Sequence, residues 1–151
     1  MIARPFASRY RMTDFARTFV DSNILIYAND TDERVKQKLA IGALDELWLH
    51  DTGAVSVQVL QEFYNVVTRK MKSRVSKEQA QKVVLLYSQW CGVTTAHEVQ
   101  TAFRIESTAK ISFWDALIVA CAQKNGATRI LSEDLQHGQI IAGIEIVNPF
   151  R

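Results

Sequence analysis

Arg17-Thr-Phe-Val-Asp-Ser-Asn-Ile-Leu-Ile-Tyr-Ala28, or RTFVDSNILIYA, carries two patterns that meet at one acid. Up to Asp21 it reads as a short strand, and from Ser22 to Tyr27 it reads as the first turns of a helix. Asp21 therefore stands at the carboxyl end of a strand.

The same alternation continues outward from this stretch. Thr31 or Asp32 can cap a helix running to about Trp48, with Val35, Leu39, Ala43, Leu44 and Leu47 at helical spacing, and Gly53–Ser56 follows as a second strand. Val57 to about Met71 places Val59, Leu60, Phe63, Val66 and Val67 on one helical face, with Gln58, Glu62, Asn65 and Arg69 as a polar stripe. Ser76-x-x-Gln79 and Thr95-x-x-Glu98 have capping-box spacing and open two further helices, separated by an extended piece at Val93 and Thr94. Ser112 caps a helix that ends at Lys124, with Gly126 as its left-handed terminator. Arg129–Ser132 is a buried strand, Glu133–Gly138 a turn and Ile144–Val147 a last strand. Strands alternating with helices predict an α/β fold: a three-layer α/β/α sandwich around a central parallel sheet.

The 151 residues, 48% of them hydrophobic, suffice for one domain with a single core, expected over 17–151. Residues 1–16 read as a disordered N-terminal extension, with Met12 as a possible natural start. Setting aside Arg4, Arg9 and Arg11 in the acid-free first eleven residues leaves 15 basic against 16 acidic residues, so the net charge of +2 becomes −1. Nucleic-acid binding by such a body must rest on a local patch. The densest basic cluster is Arg69, Lys70, Lys72 and Arg74, followed by Lys77. It is a candidate RNA-contacting rim, weighed against an ordinary solvated loop. Cys91 and Cys121 lack metal or CxxC spacing and read as reduced core thiols, which suits a cytoplasmic protein. No apolar run reaches the ~18 residues of a membrane span, so no membrane is expected as a partner. His50, His97 and His137 share no metal spacing, and Trp48, Trp90 and Trp114 are expected in the core.

In an open parallel sheet, ligands gather beyond the carboxyl ends of the strands. Four acids are predicted there: Asp21, Glu62 in the second turn of its helix, Asp115 in the first turn of another, and Asp134 just after a strand. Each has a structural explanation as a cap, a solvated stripe or a turn residue. Asp115 matches capping-box spacing with Ser112. Four converging carboxylates would repel, since two like charges ~4 Å apart cost about 4 kcal/mol at an effective dielectric of ~20. A divalent cation relieves that repulsion. Oxygen ligands without paired His or Cys suit Mg²⁺ or Mn²⁺, which can activate water for in-line phosphoryl displacement. Hydrolysis of a phosphodiester is the chemistry indicated. A phosphohydrolase with a nucleophilic Asp would want a second Asp where Asn23 stands and a lysine beside Asp134, and neither is present.

Asp21 in FVDSNILIYA, Glu62 in VLQEFYNVV, Asp115 in ISFWDALIVACA and Asp134 in RILSEDLQHG together resemble the acidic motifs of the PIN-domain family, especially its VapC-type toxin ribonucleases. The resemblance implies Mg²⁺- or Mn²⁺-dependent cleavage of RNA, homodimerisation and inhibition by a small antitoxin. It makes Asp21, Glu62 and Asp115 the core metal-binding and catalytic acids and Asp134 the more variable fourth. Asn23 then orients the first Asp, and Ser132 takes the hydroxyl position before the fourth acid. Many members carry DxD in the last motif, whereas Glu133-Asp134 precedes Leu135 here. Asp134 is the expected inward-facing acid, because Glu133 alternates to the other side of an extended chain. The alternative is a PIN-like scaffold that binds RNA or protein without catalysis.

Overall fold

A computed structural model describes residues 16–151, so all of the expected disordered extension except Ala16 lies outside the described residues. The chain runs β1 (Thr18–Val20), α1 (Ser22–Ala28), α2 (Arg34–His50), β2 (Gly53–Ala54), α3 (Val57–Asn65), α4 (Lys77–Tyr87), α5 (Ala96–Ala109), α6 (Phe113–Lys124), β3 (Arg129–Leu131), β4 (Ile140–Ile141) and β5 (Ile144–Val147). The strands form one sheet in the order β2-β1-β3-β5-β4. β1 pairs in parallel with both β2 and β3, and β3 in parallel with β5. The molecule is a three-layer α/β/α sandwich, as the alternating pattern predicts.

The sheet is mixed rather than wholly parallel, because β4 runs antiparallel to β5 at the edge. This strand escapes the sequence reading because it is two residues long. Ala142 and Gly143 join it to β5 with φ of 50° and 80°, the left-handed pair that a tight hairpin turn requires.

Other differences are local. α2 begins at Arg34 after Glu33, which makes no side-chain cap bond, rather than after Thr31 or Asp32. Those turn residues are used elsewhere: Asp30 Oδ1 accepts from the Asp32 N–H at 3.0 Å, and Asp32 Oδ2 accepts from the Ser73 hydroxyl at 2.6 Å. The helix expected over Val57–Met71 widens after Asn65 into one π turn, Val66–Lys70, closed by the Met71 N–H on the Val66 carbonyl at 3.0 Å. The extended piece expected at Val93–Thr94 falls at Cys91, which bridges Val55 just beyond β2.

Packing explains the composition of the central elements. Phe19, Val20, Ile130, Leu131 and Ile146 are fully or almost fully buried in the sheet. α6 is buried continuously from Ala116 to Ala122 and packs on α5 and β3, which is why it is apolar all round. Only its two ends reach the surface, the first turn and Gln123–Lys124. Gly53 is dictated by a close approach: a Cβ there would lie 2.5 Å from the Trp90 ring, which stacks with Trp48 at 4.1 Å between centroids.

Among the described residues, no helix is long and apolar enough to cross a membrane. Cys121 is buried and Cys91 half-buried, and both are free thiols. Trp90 is buried and Trp48 half-buried, but Trp114 is 62% exposed, contrary to the expected core position. Its Cα belongs to the first turn of α6, and the buried face of that helix begins only at Ala116.

Candidate active site

β1 lies between β2 and β3, so the chain's connections leave its carboxyl end towards both sides of the sheet. Asp21 occupies that end. It caps α1 by accepting from the Ser22 N–H at 2.7 Å, so the structural explanation for this acid holds. Register does the rest. Val20 pairs with Leu131, which brings Ser132 opposite Asp21, and the Ser132 hydroxyl donates to Asp21 Oδ2 at 2.8 Å.

Asn23, in the first turn of α1, joins the first and last acids. Its Nδ2 donates to Asp134 Oδ2 at 3.1 Å and to Asp21 Oδ2 at 3.3 Å, while its Oδ1 accepts from the Glu133 N–H at 3.2 Å. Ser132 also accepts from the Asp134 N–H at 3.2 Å, which folds Asp134 back towards the sheet edge. Glu133 points away and pairs with Lys36. Asp134 is thus the acid of the pair that faces Asp21.

Glu62 comes from α3. Ser22 donates its hydroxyl to Glu62 Oε2 at 2.7 Å, and Gln58, one turn earlier, donates to Glu62 Oε1 at 2.9 Å. The same Gln58 amide reaches the Trp114 carbonyl at 3.5 Å and so links α3 to the start of α6. Asp115 sits there, with its N–H donating to the Ser112 hydroxyl at 3.1 Å.

The four acids share an electrostatic environment. Burial raises Asp21 from 3.8 to about 6, and the charges of Asp134 and Glu62 push in the same direction, against hydrogen bonds from Ser132 and Ser22. Asp115 is raised as well, first by burial and then by the same Asp134 and Glu62, with Ser112 opposing. Among the described residues, no Lys, Arg or His donates to any of the four. Their negative charge therefore has no cationic partner within the described chain.

They do not form a closed cage. Among the described residues, no group of three or more His, Cys, Asp or Glu is gathered tightly enough to hold a metal ion. Asp21 and Asp134 meet through Asn23 and Ser132, Glu62 is reached through Ser22, and Asp115 is coupled only through space. The physical reason is that like charges, each held by neutral hydroxyl and amide donors, have nothing to draw them into contact.

Several residues lie apart from this cluster. Arg69, Lys70, Lys72 and Arg74 are exposed and share no hydrogen bond or ion pair with the acids among the described residues. His137 accepts a backbone hydrogen bond from Asn148 through Nδ1 at 3.0 Å, a structural use of the ring. Gln58 stands in the polar stripe with Glu62 but has no site role in the sequence pattern, and Lys36 has none either. Gln58 had a visible signal in its four-residue spacing from Glu62, whereas nothing local marks Lys36 as a partner of Glu133, 97 residues away.

Comparison with known proteins bears on this geometry. No curated protein matches the chain. The fold is similar to FitAB bound to an IR36 DNA fragment, with a TM-score of 0.67 at 19% identity over 89% of this chain and 96% of that one. It is similar to VapBC2 from Rickettsia felis bound to promoter DNA, with a TM-score of 0.59 at 19% identity, covering 85% and 96% of the two chains. It is also similar to Mycobacterium tuberculosis VapC20, a Sarcin-Ricin loop cleaving toxin, with a TM-score of 0.53 at 20% identity, covering 78% and 91%. These likenesses concern the fold. The model of the PIN domain matches residues 18–140 in sequence, from the first residue of β1 into β4, and the chain belongs to the PIN-domain family.

Proposed function

We propose that this PIN-domain protein is a Mg²⁺- or Mn²⁺-dependent endoribonuclease, formed by residues 17–151 as one domain and acting as the toxin of a toxin-antitoxin pair. The observation that carries the reading is the group of four acids at the carboxyl edge of the sheet, without a cationic partner among the described residues, in which Asp134 and Glu62 act on both Asp21 and Asp115 and burial drives Asp21 to about 6. Asp21, Glu62, Asp115 and Asp134 would hold the metal. The donor set fits a hard divalent cation, because every candidate ligand is a carboxylate oxygen supported by Ser22, Asn23, Ser112 or Ser132.

When bound, such an ion lowers the pKa of a coordinated water and stabilises charge on the phosphoryl oxygens. The chain's own residues prepare the ligands. Asp21 Oδ1 accepts from Ser22, and Oδ2 from Ser132 and Asn23. A carboxylate has about four acceptor directions, so one remains for a cation. Asn23 holds Asp134 beside Asp21, and Ser22 with Gln58 fixes both oxygens of Glu62. Ser112 fixes the first turn of α6 and with it the direction of Asp115. These hydrogen bonds set the four carboxylates that would hold the ion along one edge of the sheet.

RNA is the proposed substrate, with Arg69, Lys70, Lys72 and Arg74 as candidate phosphate contacts. A homodimer, a small antitoxin partner and a cytoplasmic location are proposed with it. The FitAB and VapBC2 complexes and the cleaving activity of VapC20 support this class of partner and substrate by analogy of fold. One observation favours the scaffold alternative: among the described residues, the acids are not gathered into a cage.

Cleavage of RNA with and without EDTA separates the two readings. Wild-type protein should cut with Mg²⁺ or Mn²⁺ and stop with EDTA, and Asp115→Asn should not cut at all. Asn keeps a tolerable first-turn residue but is a poor substitute for a charged ligand. Full activity in Asp115→Asn would sink the nuclease reading, and RNA binding without cutting would establish the scaffold.

A further inference from the structure

Lys36 lies on the first turn of α2, outside the acid cluster, yet it holds the segment that delivers the fourth acid. Its ammonium pairs with Glu133 Oε1 and donates to the Tyr27 hydroxyl at 3.2 Å. The same nitrogen lies 4.6 Å from the Tyr27 ring centroid and 5.6 Å from that of Phe150, and the two rings meet edge to face at 5.1 Å. Four parts of the chain meet at this one charge: the end of α1, the start of α2, the segment after β3 and the C-terminal segment. The side chains of Lys36 and Glu133 are 32% and 26% exposed, so the pair is half-buried rather than a freely solvated surface bridge.

The consequence falls on Asp134. Glu133 is gripped on its outer side by Lys36, and its backbone N–H is gripped on the inner side by Asn23 Oδ1 at 3.2 Å. Asp134 follows directly, with its N–H on Ser132 and its carboxylate on Asn23. Asp134 is exposed between the buried Ser132 and Leu135, and its carboxylate is held at the sheet edge by the Asn23 hydrogen bond. We propose that Lys36 is a positioning residue, which through Glu133 clamps the Ser132–Asp134 turn and aims the Asp134 carboxylate at the edge occupied by Asp21. The aim matters only if Asp134 takes a metal, so the effect on metal affinity rests on the nuclease reading; the clamp itself does not.

The test uses the full chain carrying Lys36→Met, Lys36→Arg or Glu133→Gln. In metal-free protein, NMR spectra of Lys36→Met and Glu133→Gln should show the same displaced signals: the Glu133 and Asp134 backbone amides and the Asn23 side-chain amide. Lys36→Arg should displace them less, and amides of the distant α4 should stay in place as a check on folding. Unmoved signals in a folded Lys36→Met protein would overturn the proposal whether or not the protein cleaves RNA. In calorimetry with Mn²⁺ alone, Lys36→Met and Glu133→Gln should each weaken binding about tenfold, the lower range for a residue that supports a ligand. In an Asp134→Ala background neither should weaken it further. Equal weakening in both backgrounds would overturn action through Asp134. If Lys36 instead contacted phosphate directly, Glu133→Gln would free it, and RNA affinity would rise in that variant while falling in Lys36→Met. Should the wild type take up no Mn²⁺, the metal reading fails, and the amide signals alone decide the clamp.

Discussion

Replacing Asp21 by Asn removes a buried charge and keeps nearly the same shape, so it isolates the cost of burying that charge beside Asp134 and Glu62. The rise of Asp21 from 3.8 to about 6, at ~1.36 kcal/mol for each tenfold change in proton affinity, corresponds to ~3 kcal/mol. The direction follows from the raised value. Below pH 3.8 the carboxyl is neutral in both folded and unfolded chains and carries no penalty. As pH rises from there to about 6, the unfolded chain ionises first and the fold loses stability; above about 6 the whole penalty is present. Asn escapes it but meets a cost of its own. Its amide nitrogen faces the Asn23 amide where Asp21 Oδ2 accepted at 3.3 Å, and the Ser132 hydroxyl must turn from donor to acceptor. One lost hydrogen bond is worth ~1 kcal/mol. The net expectation for metal-free protein near pH 8 is a gain of ~2 kcal/mol, or a rise of about 4–8 °C in Tm for a domain of this size. Near pH 4 the gain should vanish or reverse. Thermal unfolding followed by circular dichroism in EDTA at both pH values reads this directly. Saturating Mg²⁺ should then raise the Tm of the wild type and leave Asp21→Asn unmoved. An Asn variant destabilised equally at pH 4 and pH 8 would refute the claim that Asp21 carries an unrelieved buried charge.

Two further predictions concern the frame that holds the site. Glu98, at the start of α5, is lowered from 4.5 to about 2, chiefly by the Thr95 N–H and also by the Thr95 hydroxyl and Lys124. Its contribution to stability is present above pH 4.5 and lost as pH falls towards about 2. Glu98→Gln should therefore lower stability at neutral pH and flatten the acid limb of an unfolding titration; an unchanged acid limb would show that the capping box and the Lys124 pair contribute nothing. Gly53→Ala should cost about 1–3 kcal/mol, because the added methyl meets an indole wedged against Trp48 and Tyr87. Denaturant unfolding measures this, and wild-type stability in the variant would mean that Trp90 can swing aside.

Spacing over a few residues is enough to show what Asp21, Asp115 and Glu98 do locally. Asp21 ends a strand and caps a helix, Asp115 lies in a first turn begun by Ser112, and Thr95 with Glu98 completes a capping box, all through contacts within three residues that spacing alone can reveal. The sequence also determined the sandwich, because alternating periods of two and 3.6 leave few other ways to bury both faces of a sheet. Distance along the chain limited the rest. The edge strand β4 was too short to show a period, and the exposure of Trp114 depends on where the buried face of α6 begins. Only the tertiary structure set Val20 against Leu131, and so brought Ser132 to Asp21 across 111 residues. Alternation along the chain already turned Asp134 inward and Glu133 outward, but only the fold supplied Asn23 and Lys36 as their partners. Strand register and helix packing follow from the burial of the whole core, a cooperative property that no short stretch encodes. That is why the acids and the nearby Ser112 and Asn23 could be named from the sequence, while Ser22 on Glu62, Ser132 on Asp21 and Lys36 on Glu133 could be paired only in the folded chain.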